Sequence, residues 1–294
     1  MGENLKKFDE KQYMSSANFE IYHYKDDEPV NVDLHHHDFY EIFFFLSGDI
    51  TYIVESKQYT LLPGDVLLIN PTELHQPKFG KSNKPYERIV LWMRKSYLEK
   101  FRSGNDNLSE CFESMDQSHS NLLRVEGVRQ QNLLKLLNII IVENNNQQYG
   151  SEALIMCCIG QLLVEINRLI RETPHLYTPL DKGSALVNNV VTYINDHYSE
   201  KITLESLATT FYLSKYHLSH EFNRLVGTSI YRYIIQKRLS IAKQMLSVGT
   251  TPMDVYQKCG FGDYANFYRA FKSEYGTSPK EFQVEMKKLQ DSKK

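Results

Sequence analysis

The chain has 294 residues, 41% of them hydrophobic and 24% charged, with a net charge of −2 at pH 7. That length has room for two domains with proper cores, and no Walker motif, dinucleotide fingerprint or nucleophile elbow marks a nucleotide-dependent or hydrolytic enzyme. The charge is unevenly spread: from residue 185 onward 15 Lys and Arg face 10 Asp and Glu, whereas the preceding residues hold 19 against 26, the asymmetry of a polyanion reader attached to something else.

Met1-Gly-Glu-Asn-Leu-Lys-Lys lacks an apolar secretory stretch, and no run is expected to approach membrane-spanning length. Short apolar runs then alternate with turns: Phe19 to Tyr24, Tyr40 to Leu46, Thr51 to Val54, Val66 to Ile69 and Ile89 to Met93. Ser47-Gly48-Asp49, Pro63-Gly64-Asp65 and Asn70-Pro71 punctuate them, a spacing that predicts a small antiparallel barrel or sandwich. His35, His37 and Glu41 share one parity and are expected on one face of an extended segment, with His75 following after the Pro-Gly-Asp turn. Beside Tyr22, Tyr24, Phe39, Phe43 and Trp92 they suit a hydroxyl-rich ligand, because aromatic faces cover its C–H surface while charged groups take its hydroxyls.

Gln130 to Glu143 and Ser151 to Glu172 carry apolar residues at helical spacing, among them Leu133, Leu137, Leu162 and Ile166. Their stripes are wider than one barrel face covers. Packing within the domain accounts for this, and so would a subunit seam. Cys157 and Cys158, adjacent on the second helix, are expected to be reduced core residues of a cytoplasmic protein, and none of the four cysteines has metal-type spacing. Residues 173–184, with two prolines and a glycine, predict a linker. The expected domains are therefore 1–129, a barrel; 130–172, two long helices; and 185–294, a helical domain.

Within that last domain two segments copy one pattern. Ser214 to Gly227 reads S-K-Y-H-L-S-H-E-F-N-R-L-V-G and Asp263 to Gly276 reads D-Y-A-N-F-Y-R-A-F-K-S-E-Y-G. Each opens on an N-cap residue and closes on a helix-ending glycine followed by Thr-Ser. A short helix precedes each, Leu204 to Ala208 and Pro252 to Tyr256, and Ile230 to Leu246 reads as one connecting helix. Two helix-turn-helix units on a rigid connector would present both second helices to one DNA face, where major-groove segments recur about every 34 Å.

Residues 185 to 287 resemble the DNA-binding domain of AraC-type transcription regulators. The resemblance rests on L-x-x-L-A (204 to 208), S-x-x-x-L-S-x-x-F (214 to 222), R-L-S-I-A-K-Q-M-L (238 to 246), G-F-x-D (260 to 263), F-Y-R-A-F-K (267 to 272) and G-T-S-P-K-E-F (276 to 282). Tyr256 departs from it, standing where the family usually has a small residue. H-x-H-x-x-x-E (His35 to Glu41), Gly48, P-G-D-V (63 to 66) and His75 resemble the cupin barrel, which is also the usual sensor domain of these regulators. The pattern departs from the cupin enzyme motif between residues 63 and 75.

The resemblance implies base-reading positions at Tyr216, Ser219 and His220 in the first unit and Tyr264, Ala265, Tyr268 and Arg269 in the second. The chemistry fits: Arg269 can fork onto guanine, Ser219 and His220 can hydrogen-bond base edges, and tyrosine rings can meet thymine methyls. Lys215, Asn223, Arg224 and Lys272, at helix edges, suit phosphates. In cupin enzymes the positions of His35, His37, Glu41 and His75 are metal ligands. Here three roles stay open for them: effector contacts together with Tyr24 and Trp92, a metal site, and a structural polar cluster. The expected function is a cytoplasmic, non-enzymatic, dimeric regulator of promoter DNA that needs no cofactor and responds to a small polar effector, a sugar or related metabolite. The resemblance adds an effector-sensing role for residues 1–129, a dimerising role for residues 130–172 with a seam expected through Leu162 and Ile166, activation, and RNA polymerase as a partner. A metal-dependent cupin enzyme fused to DNA-binding helices and an effector-independent repressor are the alternatives.

Overall fold

The computed structural model describes residues 14–28, 32–82, 84–102, 104, 106–113, 120–172 and 185–291; the linker expected at 173–184 lies outside them. Described residues up to 172, apart from the short segments Leu34–Asp38 and Glu55–Lys57, form one compact unit. Those two segments and the residues from 185 form the second.

In the first unit, strands β1 (Phe19–Asp26), β2 (Tyr40–Ser47), β5 (Val66–Ile69), β7 (Tyr86–Met93) and β8 (Leu122–Leu123) make a five-stranded sheet in the order β1-β7-β2-β5-β8. The strands β3 (Ile50–Val54), β4 (Lys57–Thr60) and β6 (His75–Phe79) make a second, in the order β4-β3-β6. The strand pairings are antiparallel. Tight turns explain this topology. Gly64 takes a φ of +96°, open to glycine at little cost, and its N–H donates to the Phe45 carbonyl. The neighbouring Asp65 carboxylate accepts from the Leu62 N–H and pairs with Arg124.

Strand β2 is apolar on both faces because both faces are covered. Tyr40, Ile42 and Phe44 join one cluster, with Ile89, Leu91 and Met93 of β7. Phe43 and Phe45 join another, with Tyr86, Val90 and Trp92 of β7 and Tyr52 and Val54 of β3. The first cluster also takes in the short helix α1 (Lys95–Leu98), the long helices α2 (Gly127–Asn146) and α3 (Ser151–Glu172), and a 3-10 turn at Leu108–Phe112.

This packing corrects three expectations. Leu162 and Ile166, expected at a subunit seam, are 1% and 0% exposed inside the unit's own core. Cys157 is exposed while Cys158 is buried, since neighbours on an amphipathic helix turn about 100° apart and one falls outside the stripe. Lastly, α3 is long and apolar enough to cross a membrane by length and composition, with a mean hydropathy of 1.7, although no such run was expected. Its apolar stripe, including Ile155, Ile159, Leu163 and Leu169, lies in this core.

The second unit holds α4 (Ala185–His197), α5 (Leu204–Thr210), α6 (Lys215–Val226), α7 (Ile230–Ser247), α8 (Pro252–Lys258), α9 (Tyr264–Tyr275) and α10 (Pro279–Asp291). Side-chain N-caps start six of them: Thr203, Ser214, Ser229, Thr251, Asp263 and Ser278 each accept from a backbone N–H three residues on. Gly227 and Gly276 end α6 and α9 in the left-handed region. Helix α7 is the shared spine. Near its start Tyr233 meets Phe222 of α6 edge to face at 5.4 Å. Further along, Leu239, Ala242 and Leu246 pack with Val255, Phe261, Phe267 and Phe271. Its buried cations are all matched: Arg238 donates to the carbonyls of Tyr198 and Glu200, Lys237 pairs with Glu55 and Lys243 with Asp38.

The turns between the helices of the two units differ in length, Gly262 adding a residue before the Asp263 cap, and in the residue at the closing position. After α5 the Leu213 N–H donates to Ala208 and the Tyr212 N–H to Thr209; after α8 the Phe261 N–H donates to Tyr256 and the Gly260 N–H to Gln257. Both are Schellman closures, whose turning residue is left-handed. Gly260 fills that place in the second with φ +75°, Tyr212 in the first with φ +56°. A residue with a Cβ pays about 1–2 kcal/mol there.

Removing packed side chains from the first core should unfold the unit. Ile166→Ala should cost about 2–5 kcal/mol, and Leu162→Glu should abolish the cooperative thermal transition. A Leu162→Glu protein that melted like the wild type would contradict the core placement.

Candidate effector site and nucleic-acid interface

The space between the two sheets is lined by the inward residues of β2 and β7. Glu41 follows the parity of Phe43 and Phe45, so it points into that space, opposite Trp92 and Ile69 of the neighbouring strands. It is 1% exposed. His75, the first residue of β6, is fully buried and stacks on the Tyr52 ring at 6.1 Å. Its Nδ1 lies 2.9 Å from the Glu73 carbonyl, which can only accept, so Nδ1 carries the proton. Nε2 then faces the Glu41 carboxylate at 3.9 Å, beyond direct hydrogen bonding.

Glu41 and His75 therefore come together inside the first unit; His37 is buried too, in a segment that groups with the second unit. The parity expected of His35, His37 and Glu41 fails because β2 begins only at Tyr40; the histidines precede it in irregular backbone, where alternation does not apply. An imidazole and a carboxylate are donors of the kind a transition dication takes. Donors around such an ion stand about 3.3 Å apart at bond lengths near 2.0–2.1 Å, so these groups would have to close in to hold one.

Arg88 was not singled out from the sequence. It has the parity of Tyr86, Val90 and Trp92 on β7, so a charge falls in an apolar register, and that anomaly is legible without the structure. The side chain is 3% exposed, pairs with Asp26 at 2.5 Å, and lies 4.0 Å from the Tyr86 ring centre and 4.8 Å from that of Tyr24. Burial pushes the hydroxyls of Tyr24, Tyr52 and Tyr86 well above the ordinary phenol range, with Arg88 opposing the shift, so all three stay neutral. Trp92 packs on Phe39 at 4.7 Å and meets Tyr22 edge-on at 5.1 Å. It is 4% exposed, and its indole N–H has no hydrogen-bond partner among the described residues. A buried donor left unmade costs about 1–3 kcal/mol.

In the second unit, α6 and α9 bury Leu218 and Phe222, and Phe267 and Phe271, which turns the opposite faces outward. On α6, Lys215, Tyr216, His220, Asn223 and Arg224 are exposed and Ser219 is half-buried. Tyr216 stacks on His220 with rings 8° from parallel; Lys215 is held by Glu205 and Arg224 by Glu221. On α9, Ala265, Arg269 and Lys272 are exposed and Tyr264 and Tyr268 half-buried. Arg269 donates to the Asn266 side chain at 2.7 Å and Lys272 lies over the Tyr268 ring. Tyr256 is half-buried and meets Tyr264 edge-on at 5.8 Å, so the bulk that departs from the family pattern is taken up by an aromatic contact.

Two family models match this chain: an AraC-like ligand binding domain over residues 18–163 and a helix-turn-helix domain over residues 207–284. The arabinose operon regulatory protein of Salmonella typhimurium is 28% identical over 233 residues, 78% of this chain and 77% of that protein. The HTH-type transcriptional activator RhaS of an Enterobacter species is 26% identical over 248 residues, 84% of this chain and 86% of that protein. Among solved structures, the DNA-binding domain of AdpA in complex with a target DNA is similar at 25% identity and a TM-score of 0.33, over 34% of this chain and 89% of that one. With a ligand-binding model on the two-sheet unit and a helix-turn-helix model on the helical one, the chain belongs to the AraC-type transcription regulators.

Proposed function

We propose that this regulator is a cytoplasmic activator, without enzymatic activity, that binds a sugar or related polyol between the sheets of its first unit. The observation that carries the reading is the Trp92 indole N–H, buried among aromatic rings with no partner among the described residues. A hydroxyl oxygen would satisfy it, the neutral tyrosine hydroxyls can donate and accept, and Glu41, His75 and Arg88 supply charge for further hydroxyls. The relatives are named for the arabinose operon and as an activator, which agrees with a sugar effector and with activation through RNA polymerase. Coupling between an effector and the DNA-reading unit is ordinarily about 1–3 kcal/mol, a change of roughly 5- to 150-fold in operator affinity.

A thermal-shift screen of neutral pentoses and hexoses, run beside metal analysis of the purified protein, tests this. Stabilisation by one sugar in metal-free protein supports the reading; a full equivalent of Fe, Mn or Ni with no response to any sugar removes it in favour of the metal-dependent enzyme. Trp92→Phe keeps a ring but removes the donor, so sugar affinity should fall about tenfold while the sugar-free protein stays folded. Unchanged affinity in Trp92→Phe would take the indole out of the site.

With Leu162 and Ile166 committed to the core, we place dimerisation on the outer face of α2. Leu134, Ile139 and Val142 border a shallow apolar groove there with Gln131 and Lys135, and Val142 is 51% exposed. Val142→Glu should give monomers that melt like the wild type; sedimentation showing an intact dimer would move the interface elsewhere.

The outward faces of α6 and α9 are the proposed DNA-reading surfaces, with Tyr216, Ser219, His220, Tyr264, Ala265, Tyr268 and Arg269 toward bases and Lys215, Asn223, Arg224 and Lys272 toward phosphates. Arg269→Ala should cost about 1–3 kcal/mol at the specific site and relax preference at one base pair. Lys215→Ala should weaken all sequences alike. Footprints of Arg269→Ala that matched the wild type in affinity and sequence would exclude it from base reading.

A further inference from the structure

At Tyr212 and Gly260 the two helix-turn-helix units use different residues for the same backbone task. Both turns close by the same pair of hydrogen bonds and both need a left-handed residue. At Gly260 the side chain is forbidden, because a Cβ there would stand 2.6 Å from the Ser199 carbonyl oxygen and 2.7 Å from that of Tyr198. At position 212 the chain instead carries a large aromatic residue in a conformation that favours glycine. The ring is 95% exposed, so it is not held there by packing in the unit. Two unfavourable features thus coincide, a left-handed backbone on a side chain with a Cβ and an amphipathic ring left in water. Strain of this kind persists at sites of binding, where something outside the fold uses it.

Its position says what that is. Tyr212 precedes the Ser214 N-cap of α6 by two residues, at the end of the helix that carries Lys215, Tyr216, Ser219 and His220. A recognition helix enters the major groove by its N-terminal residues, so the turn leading into it runs past the sugar-phosphate wall of the groove. A tyrosine suits that wall, with a ring to lie on deoxyribose and a hydroxyl to donate to a phosphate oxygen. We infer that Tyr212 is a DNA-backbone contact of the first unit, which seats α6 in its groove without reading sequence, a contact that Gly260 denies the second unit. This rests on the DNA-binding reading of α6.

Two substitutions separate ring from backbone. Tyr212→Gly removes the ring and relieves the backbone, so the protein should melt about 2–4 °C higher while its DNA affinity falls about tenfold. Tyr212→Ala removes the ring and keeps the left-handed Cβ, so it should lose affinity equally with no such rise in melting temperature. The probes are a fluorescein-labelled duplex of random sequence, about 30 base pairs or three helical turns, and a duplex selected from that library by the wild-type protein, both read by anisotropy. Equal losses on the two duplexes are expected for a backbone contact. Wild-type affinity in both variants would overturn the assignment, as would a lower melting temperature in Tyr212→Gly, which would make the ring part of the fold. A loss confined to the selected duplex would make Tyr212 a base reader and overturn the backbone assignment. Wild-type protein that bound neither duplex would instead sink the DNA-binding reading, and this proposal with it.

Discussion

Everything in the first unit depends on strands β2 and β7 burying both of their faces. Because side chains alternate, each strand supplies two different cores. Ile42, Phe44, Ile89 and Leu91 hold α2 and α3 against the outside of the sheet, while Phe43, Phe45, Val90 and Trp92 fill the space between the sheets. A fully buried side chain of this size contributes about 1.5–3 kcal/mol, so the doubly buried strands carry much of the unit's stability. The same alternation places Glu41, Arg88 and Trp92 inward. A one-residue slip in register would carry all three to the helical side and empty the interior of its polar groups.

Polar groups kept in such an interior have to be answered. Arg88 is answered by Asp26 and by two tyrosine rings, and the His75 ring is oriented by the Glu73 carbonyl. The tyrosine hydroxyls, raised by burial, remain neutral hydrogen-bonding groups. The buried Trp92 N–H has no hydrogen-bond partner among the described residues. These polar groups separate that interior chemically from the apolar core on the other side of the same sheet.

The second unit solves a different problem with one repeated device. Each helix-turn-helix is started by side-chain caps, ended by a left-handed residue and packed on α7 through a few aromatic rings. Small hydrophobic clusters of this sort leave the outer faces of α6 and α9 uncommitted to the fold. Those faces are therefore free to carry tyrosine, histidine, arginine and lysine, residue types that suit a DNA surface.

Local signals in the sequence determined the elements of this protein and their kind. Caps and glycines bounded α6 and α9, apolar runs and Pro-Gly-Asp turns marked the strands, and the repeated pattern separated the outward faces of α6 and α9 from the buried ones. Those signals act within a few residues, which is why they are readable in order along the chain. What each apolar stripe packs against was decided only by the tertiary structure. Leu162 and Ile166 carry the same periodicity whether they face a partner or their own core, and only the fold assigned them to the core. His35 to His37 looked extended by alternation, but the strand starts at Tyr40 and the backbone before it is irregular. Arg88 was readable as a charge in an inward register, yet its meaning required Tyr24, Asp26 and Tyr86 around it, brought together by pairing between β1 and β7. Tyr212 carries no sequence mark at all, because left-handed backbone is a property of the turn that closes around it.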